Sequence, residues 1–220
     1  MKYFKALLFG SIGSIVETSD LQRKSFNQAF KQSGLNWYWT KKEYTKLLNK
    51  SGGEDRISAY AKQNKITVNA KKLRDLKTKI FNNYLNKKEL KLRLGVKDLL
   101  NHCIKNKIKL GFVSSTSLNN INSIFYCLRR SIKKNYFNFI GNSNLVKKNK
   151  PNPDIYLFAL KKLKLKPKEC IAIEDSQESL DAAFKAKIKC LIFPGKFHSG
   201  KKFLRAYKKV FNLNIKIMRK

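Results

Sequence analysis

Three polar clusters and one lysine carry the side chains of this sequence that are suited to binding or chemistry. Residues 10–14, 114–117 and 174–176 each follow a short apolar run, and Lys150 lies in a separate loop. Short apolar runs that stop at small or polar residues are typical of buried strands in a parallel sheet. Because open α/β sheets bind their ligands at the carboxyl ends of the strands, we expect these hydroxyl, ammonium and carboxylate groups to meet in one site.

The first cluster contains two candidate nucleophiles, the hydroxyls of Ser11 and Ser14. A serine attacks efficiently only when an adjacent base accepts its proton. The loop holds no such base, so this cluster does not predict a serine hydrolase.

The cysteines and histidines form no metal-binding pattern. None of the four cysteines stands in a CxxC motif, and the two histidines, His102 and His198, are far apart in the chain. Structural zinc sites need closely spaced ligands, so we do not expect one here. Each cysteine lies in or beside an apolar run, which predicts a reduced core residue.

The composition predicts a globular protein with a large excess of positive charge. The chain has 220 residues, 42% of them apolar, which suits one large domain or a domain with an insertion. Lys and Arg number 49 against 14 Asp and Glu, giving a net charge of +35. Two explanations stay open: an anionic partner, or an A+T-rich coding sequence that raises the lysine content without a selected function.

The N-terminus and the hydropathy give no sign of a targeting or membrane segment. Residues 1–4 lead directly into the first apolar run, which leaves no room for a signal or transit peptide. No apolar run reaches the length of a membrane span. We therefore expect the protein to act in the compartment where it is made.

Residues 18–88 read as an all-helical unit inserted after the first strand. Residues 20–33 place apolar side chains at helical spacing, and Gly34 follows as a cap. Thr40 and Glu43 have the spacing of a capping box at the start of a second helix. Further helices are predicted at 55–62 and 69–84.

From residue 92 the pattern alternates between strands and helices, which predicts a parallel α/β sheet. The predicted helices are 96–104, 119–132, 154–163 and 180–187. The predicted strands are 108–113, 137–141, 170–173 and 189–193.

The order and residues of these segments resemble the haloacid dehalogenase-like phosphatases, and within them the CbbY type, which removes a phosphate from xylulose bisphosphate. The matching segments are 34–37 with Trp39 and Tyr44, 47–48 with Gly52, Gly53, Arg56 and Ile57, 150–156, and 173–176. The resemblance covers about residues 5–195. It implies a Rossmann-like core of residues 1–17 and 89–195, a helical cap of residues 18–88, and a basic C-terminal extension of residues 196–220.

The resemblance also implies a reaction that this sequence is not equipped to perform. In that family a first-strand Asp forms an aspartyl-phosphate, and an Asp two residues later acts as general acid and base. Residues 9–13 align with the family's Phe-Asp-x-Asp-Gly, which puts Gly10 and Ile12 at these two positions. We expect no catalytic residue to be retained.

Several supporting residues of the family pattern are present. Ser114, Ser115 and Lys150 stand at the phosphate-binding positions, and Glu174 and Asp175 stand at the metal-binding positions. With the side-chain ligand at Gly10 missing, we expect Mg²⁺ to bind only if residual phosphatase activity persists. The alternatives are retained phosphate binding and a structural role, in which Lys150 pairs with an acidic residue and the serines cap a turn or helix; we favour the structural role.

The substrate-reading positions are altered as well. Glu17 replaces the family's Asp, Gln22 replaces a common His, and Glu54 stands where the family has a phosphate-grasping Lys. Gly52, Gly53 and Arg56 retain the pattern of the cap segment. Only Arg56 among these residues is suited to binding a phosphate.

Positive charge is concentrated in two stretches without acidic residues. Residues 99–153 carry ten Lys and Arg, and residues 195–220 carry nine. Interleaved aromatic residues fit an RNA or another anionic surface. The alternative is that the lysines line solvated faces and the aromatic side chains are core residues. The interleaved residues are Tyr126, Tyr136, Phe137, Phe203, Tyr207 and Phe211.

Two hypotheses follow. The first is a catalytically impaired CbbY-like protein, a pseudophosphatase, that acts as a binding or assembly component on RNA or an acidic protein surface. The second is a Mg²⁺-dependent sugar-phosphate phosphatase with residual activity, for which a sugar phosphate is the partner. The resemblance and the biased composition favour a plastid or cytosolic location.

Overall fold

The computed structural model of the chain describes residues 3–48, 52–87 and 90–220. It divides into a core unit, Met1–Glu17 with Leu90–Lys220, and a helical unit, Thr18–Glu89. The strands are β1 (Ala6–Phe9), β2 (Lys109–Val113), β3 (Phe139–Gly141), β4 (Cys170–Glu174), β5 (Lys189–Ile192) and β6 (Lys208–Lys209). The helices are α1 (Ser19–Gln32), α2 (Lys41–Leu47), α3 (Gly53–Gln63), α4 (Ala70–Lys87), α5 (Val96–Lys105), α6 (Leu118–Cys127), α7 (Asp154–Leu163) and α8 (Gln177–Lys185).

The core unit is built on one parallel sheet with the strand order β3-β2-β1-β4-β5-β6. Every residue of β1 and β4 is buried, as their continuous apolar sequences predict. The predicted fold class, an α/β parallel sheet with a helical insertion, is confirmed. Among the described helices, none has the length and the hydropathy needed to cross a bilayer.

The helical unit is held together by aromatic side chains. The ring of Trp39 lies 4.8 Å from that of Phe26, 4.7 Å from that of Phe30 and 5.4 Å from that of Tyr60, measured between centroids. Such tilted and edge-on contacts add to the stabilisation from burial. Trp39 is fully buried at their centre.

The predicted capping box forms at the start of α2. The backbone amide of Thr40 donates to Glu43 Oε2 at 2.8 Å, and the amide of Glu43 donates to Thr40 Oγ1 at 3.2 Å. These bonds satisfy amides that the helix itself leaves without partners.

The prediction of a helix over 119–132 is wrong at its C-terminal end. Helix α6 ends at Cys127, and residues 128–131 form a turn in which the amide of Ser131 donates to the carbonyl of Leu128. Leu128 and Ile132 are both buried. Their helical spacing was a correct sign of burial, which the turn also satisfies.

The residues predicted as a basic C-terminal extension, 196–220, belong to the core unit. Strand β6 pairs with β5, and the amide of Phe4 donates to the carbonyl of Met218 at 2.9 Å. Leu213 and Met218 are buried. Buried apolar side chains therefore anchor this basic stretch to the core unit.

Arg93 fixes the loop after β1 to the loop after β5. Its guanidinium donates to the carbonyls of Gly13, Phe193 and Pro194 at 2.6–2.7 Å, and it stacks on the ring of Phe193 at 3.4 Å. Hydrogen bonds from a charged donor are stronger than neutral ones. The loop that carries Gly10 is thereby held in place from its far end.

We expect Arg93→Met to lower the free energy of unfolding by about 2–4 kcal/mol, because three carbonyls lose a charged donor. Urea denaturation measures the change. The matched control is Lys91→Met, at an exposed lysine two residues away, for which we expect a change within about 0.5 kcal/mol. Equal destabilisation by the two variants would contradict a bracing role for Arg93.

Candidate active site at the carboxyl ends of the strands

The parallel register brings the predicted clusters to one edge of the sheet. Phe9, the last residue of β1, is aligned with Phe112 of β2 and with Ile173 of β4. Residue 10, the serines after β2 and the acidic pair at the end of β4 therefore lie beside one another. The amide of Gly10 donates to the carbonyl of Ile173 at 2.9 Å, which continues the ladder into the site.

A buried ion pair occupies the centre of this edge. Lys150 Nζ donates to Glu174 Oε1 and to the carbonyl oxygen of Gly10, both at 2.5 Å. The hydroxyl of Tyr156 donates to the same Oε1 at 2.6 Å. Glu174 and Tyr156 are fully buried, and Lys150 is 7% exposed. Glu174 Oε2 is buried and has no hydrogen-bond partner among the described residues.

The ion pair fills the volume that a side chain at position 10 would need. A Cβ atom added to Gly10 would lie 1.9 Å from Glu174 Oε1 and 2.3 Å from the hydroxyl oxygen of Tyr156. Gly13 is in the same position with respect to the second acidic residue, because its added Cβ would lie 1.7 Å from Asp175 Oδ2. The loop after β1 approaches both acidic side chains too closely for any residue larger than glycine unless the carboxylates move.

The titration of the buried groups follows from their loss of hydration. Burial raises the pKa of Glu174, and the negative charge of Asp175 raises it further, against the opposing effects of Lys150 and the Tyr156 hydrogen bond. Burial also raises the pKa of Tyr156 well above its ordinary value, so its hydroxyl stays protonated as a donor.

The serines after β2 bond to backbone amides. Ser114 Oγ accepts from the amide of Thr116 at 3.1 Å, and Ser115 Oγ accepts from the amide of Lys150 at 3.4 Å. Ser117 caps α6 through the amide of Asn120 at 3.3 Å. These are the contacts that a structural role predicts for this cluster.

Glu17, the core-unit member of the predicted substrate-reading residues, is also engaged. Its Oε2 accepts from the backbone amide of Lys196 at 2.8 Å, and a Cβ added to Gly195 would lie 2.4 Å from the same oxygen. Glu17 therefore holds the loop that follows β5 in place through this hydrogen bond.

The other predicted substrate-reading residues lie in the helical unit. Gly52, with a positive φ of 87°, precedes α3, and Gly53 is its first residue. Arg56 Nε donates to the carbonyl of Leu47 at 3.0 Å, and its guanidinium lies 5.6 Å from the ring centroid of Tyr44. The structure thus places Arg56 against the aromatic cluster.

The sequence analysis did not predict the buried position of Lys77 in α4. The groups around Lys77 disfavour the positive charge of its ammonium. Its ammonium contacts Gln22 Oε1 and lies 4.9 Å and 5.1 Å from the ring centroids of Phe26 and Phe81. Burial, with the nearby charges of Arg56 and Arg74, lowers the pKa of Lys77 from 10.5 to about 7.

The helical spacing of Leu73, Lys77 and Phe81 was the available signal, since it puts Lys77 on the apolar stripe of α4. Tyr156 was also missed as a member of the central cluster, although it lies in the matched segment 150–156.

Comparison with known proteins identifies the architecture. Residues 13–193 match the family model of haloacid dehalogenase-like hydrolases. The chain belongs to this family. It is 32% identical to Protein CbbY of Cereibacter sphaeroides, over 92% of this chain and 89% of the relative, and 32% identical to a CBBY-like protein of Arabidopsis thaliana, over 91% of this chain and 66% of the relative. The crystal structure of CbbY from Rhodobacter sphaeroides in complex with phosphate superposes with a TM-score of 0.85 at 30% identity, covering 94% of this chain and 93% of that one.

Haloacid dehalogenase-like phosphatases generally use Mg²⁺, but the residues here do not fit the ion. Mg²⁺ requires a near-octahedral set of oxygen ligands. Glu174 Oε1 already accepts from Lys150 and Tyr156, which leaves only the buried Oε2 of this side chain to offer a metal ion. Over the described ranges 3–48, 52–87 and 90–220, no three His, Cys, Asp or Glu side chains are grouped to hold a metal.

Lys77 predicts a specific pH dependence of stability. Because its pKa is about 7 in the folded chain and 10.5 as the ordinary value, the unfolded chain binds more protons between these pH values. The free energy of unfolding should therefore rise with pH across this window, and the cost of burying the ammonium is fully present below about pH 7.

We expect Lys77→Met to be more stable than the unmodified chain at pH 6.5, with the difference shrinking towards pH 10. Chemical denaturation across this pH series measures it, with Lys79→Met, at an exposed lysine of the same helix, as the matched control. A constant difference at all pH values would contradict the role assigned to Lys77.

Proposed function

We propose that this chain is a catalytically silent member of the haloacid dehalogenase-like family that works by binding rather than by turnover. The observation that carries the proposal is the occupied space at Gly10. The position aligned with the family's nucleophile has no reactive atom, and the volume for a nucleophilic side chain is filled by the carboxylate of Glu174 and the hydroxyl of Tyr156.

The groups that remain are not arranged to replace the nucleophile. A carboxylate attacks phosphorus only if the phosphoryl group reaches it, and Glu174 is fully buried. Its Oε1 already accepts two hydrogen bonds, which reduces its reactivity. Ile12 cannot transfer a proton at the position aligned with the acid/base residue.

Lys150 is likewise committed to the protein. In a phosphatase this ammonium would neutralise a phosphoryl oxygen. Here it neutralises a buried carboxylate and the carbonyl of Gly10, at 2.5 Å each. To bind a phosphate, it would have to leave Glu174 unpaired in a buried site, which is energetically costly.

A plastid or cytosolic location accompanies this proposal. One plant relative, 30% identical over 48% of this chain, is named as a chloroplastic phosphatase. Immunolocalisation in the source cells tests the assignment, and a signal confined to another compartment would contradict it.

We expect the purified chain with Mg²⁺ to release no phosphate above the uncatalysed rate from xylulose 1,5-bisphosphate, the sugar in a solved complex of a CbbY mutant. The physical reason is that no covalent intermediate can form at Gly10. Release of inorganic phosphate is the readout. Clear turnover by the unmodified chain would overturn the proposal in favour of a Mg²⁺-dependent sugar-phosphate phosphatase.

Restoring the two carboxylates alone should not restore activity. In the Gly10→Asp, Ile12→Asp double variant the new side chain meets Glu174 and Tyr156, so we expect lower stability and no turnover. Adding Glu174→Ala opens the space and frees Lys150 to pair with the new carboxylate. We expect this triple variant to release phosphate measurably above the uncatalysed rate, which the double variant does not exceed.

The matched control for the triple variant carries Gly10→Asn and Ile12→Asn with Glu174→Ala, which has nearly the same shape without a nucleophile. It should stay inactive. Full stability and turnover in the double variant would show that Glu174 does not block the position.

A further inference from the structure

The C-terminal part of the core unit forms a fixed surface at the edge of the sheet. Strand β6 is the last strand, and the amides of Tyr207 and Val210 donate to the carbonyls of Cys190 and Ile192 of β5 at 2.9 Å and 2.8 Å. A stretch expected to be an extension is therefore tied to the sheet by backbone hydrogen bonds.

The register decides which face these side chains occupy. Lys209 is aligned with Ile192, and residues aligned in a sheet point to the same face. Ile192 and Cys190 pack in the core cluster with residues of α7 and α8. Lys209 therefore lies on the face of the sheet against which α8 packs nearer the centre of the sheet. Tyr207, two residues before Lys209, lies on the same face.

Large aromatic rings are exposed on this face. Tyr207 is 59% exposed and Phe211 is 63% exposed. Phe184 of α8 is exposed as well. The alternative that the interleaved aromatic residues are core residues holds for Phe137, which is buried, and fails for Tyr207 and Phe211.

Each of these rings has a cation beside it. Lys189 Nζ lies 4.7 Å from the ring centroid of Tyr207, and Lys209 Nζ lies 5.3 Å from that of Phe211. The guanidinium of Arg205 lies 5.2 Å from the ring centroid of Phe184. We call the surface defined by these six residues the edge surface.

The charge around the edge surface is almost entirely positive. Residues 195–220 carry nine Lys and Arg and no acidic residue. Asp181, one turn before Phe184 on α8, accepts a hydrogen bond from Gln177 at 2.8 Å. The cations of the edge surface can therefore bind the charges of an anionic partner, while the aromatic rings contact the partner's apolar groups.

We propose that the edge surface binds a single strand of nucleic acid. Proteins that bind single strands combine cations that contact the phosphates with aromatic side chains on which bases stack. A duplex hides the faces of its bases, so exposed rings favour a single strand. The surface uses neither Gly10 nor Glu174, so this inference and the proposed catalytic silence succeed or fail separately.

The test measures binding of the full chain to a fluorescently labelled twelve-nucleotide oligouridylate by anisotropy. We expect Tyr207→Ala and Phe211→Ala each to weaken binding by about five- to a hundredfold, because each removes one stacking platform. Tyr207→Phe, which keeps the ring, should bind like the unmodified chain. Tyr126→Ala is the matched control, since Tyr126 is also 59% exposed and packs against Arg129 at 4.0 Å but lies outside the edge surface.

The salt dependence tests the charged half of the surface. We expect the slope of log affinity against log salt to become less negative by about 0.7 for each phosphate contact removed by Lys189→Gln or Arg205→Gln. Melting temperatures of all variants establish that they are folded.

Three outcomes would overturn the proposal. The first is unchanged oligouridylate binding in the Tyr207→Ala, Phe211→Ala double variant. The second is equally tight binding of inorganic polyphosphate, which has the charge but no bases. The third is tighter binding of polyglutamate, which would assign the surface to an acidic protein.

Discussion

The hydrogen-bonded ion pair between Lys150 and Glu174 is the constraint on which the site depends. Two charges removed from water are stable together only when their hydrogen bonds are well made, and removing one partner of such a pair costs about 3–5 kcal/mol. Here the Lys150 ammonium also binds the carbonyl of Gly10, and the Tyr156 hydroxyl also binds the carboxylate. One buried carboxylate therefore joins the loop after β1, the start of α7 and the end of β4.

Under the proposed catalytic silence, this cluster explains how a phosphatase fold can persist without its reaction. The sheet still delivers its loops to one edge, and the relatives at about 30% identity share that architecture over most of the chain. A phosphatase needs the centre of this edge to be open to a phosphoryl group and a metal ion. In this chain the protein's own carboxylate and ammonium satisfy each other there, so the remaining interactions stabilise the fold.

The fold was predictable because local sequence patterns determine it. The ion pair that occupies the site was not predictable in this way. Apolar runs at β1 and β4 and the Thr40–Glu43 capping box determine their elements almost independently of context. The C-terminal strand escaped prediction because β6 consists of two lysines, Lys208 and Lys209, which carry no apolar strand pattern. The sequence places Glu174 at the site, but the direction of its side chain depends on Tyr156 and Lys150, which are distant in sequence. The burial of Lys77 could be predicted only by following the apolar stripe of α4 through a helix that is rich in lysine.

The most direct test of the central claim is a double-mutant cycle on the free energy of unfolding, using Gly10→Ala and Glu174→Ala singly and together. If the carboxylate fills the space at Gly10, the added methyl group should be costly in the unmodified background and less costly once Glu174 is shortened, when only the Tyr156 hydroxyl still crowds it. We predict a coupling energy of about 1–3 kcal/mol. Additive effects of the two substitutions would contradict the account, because they would show that the two positions do not share the same volume.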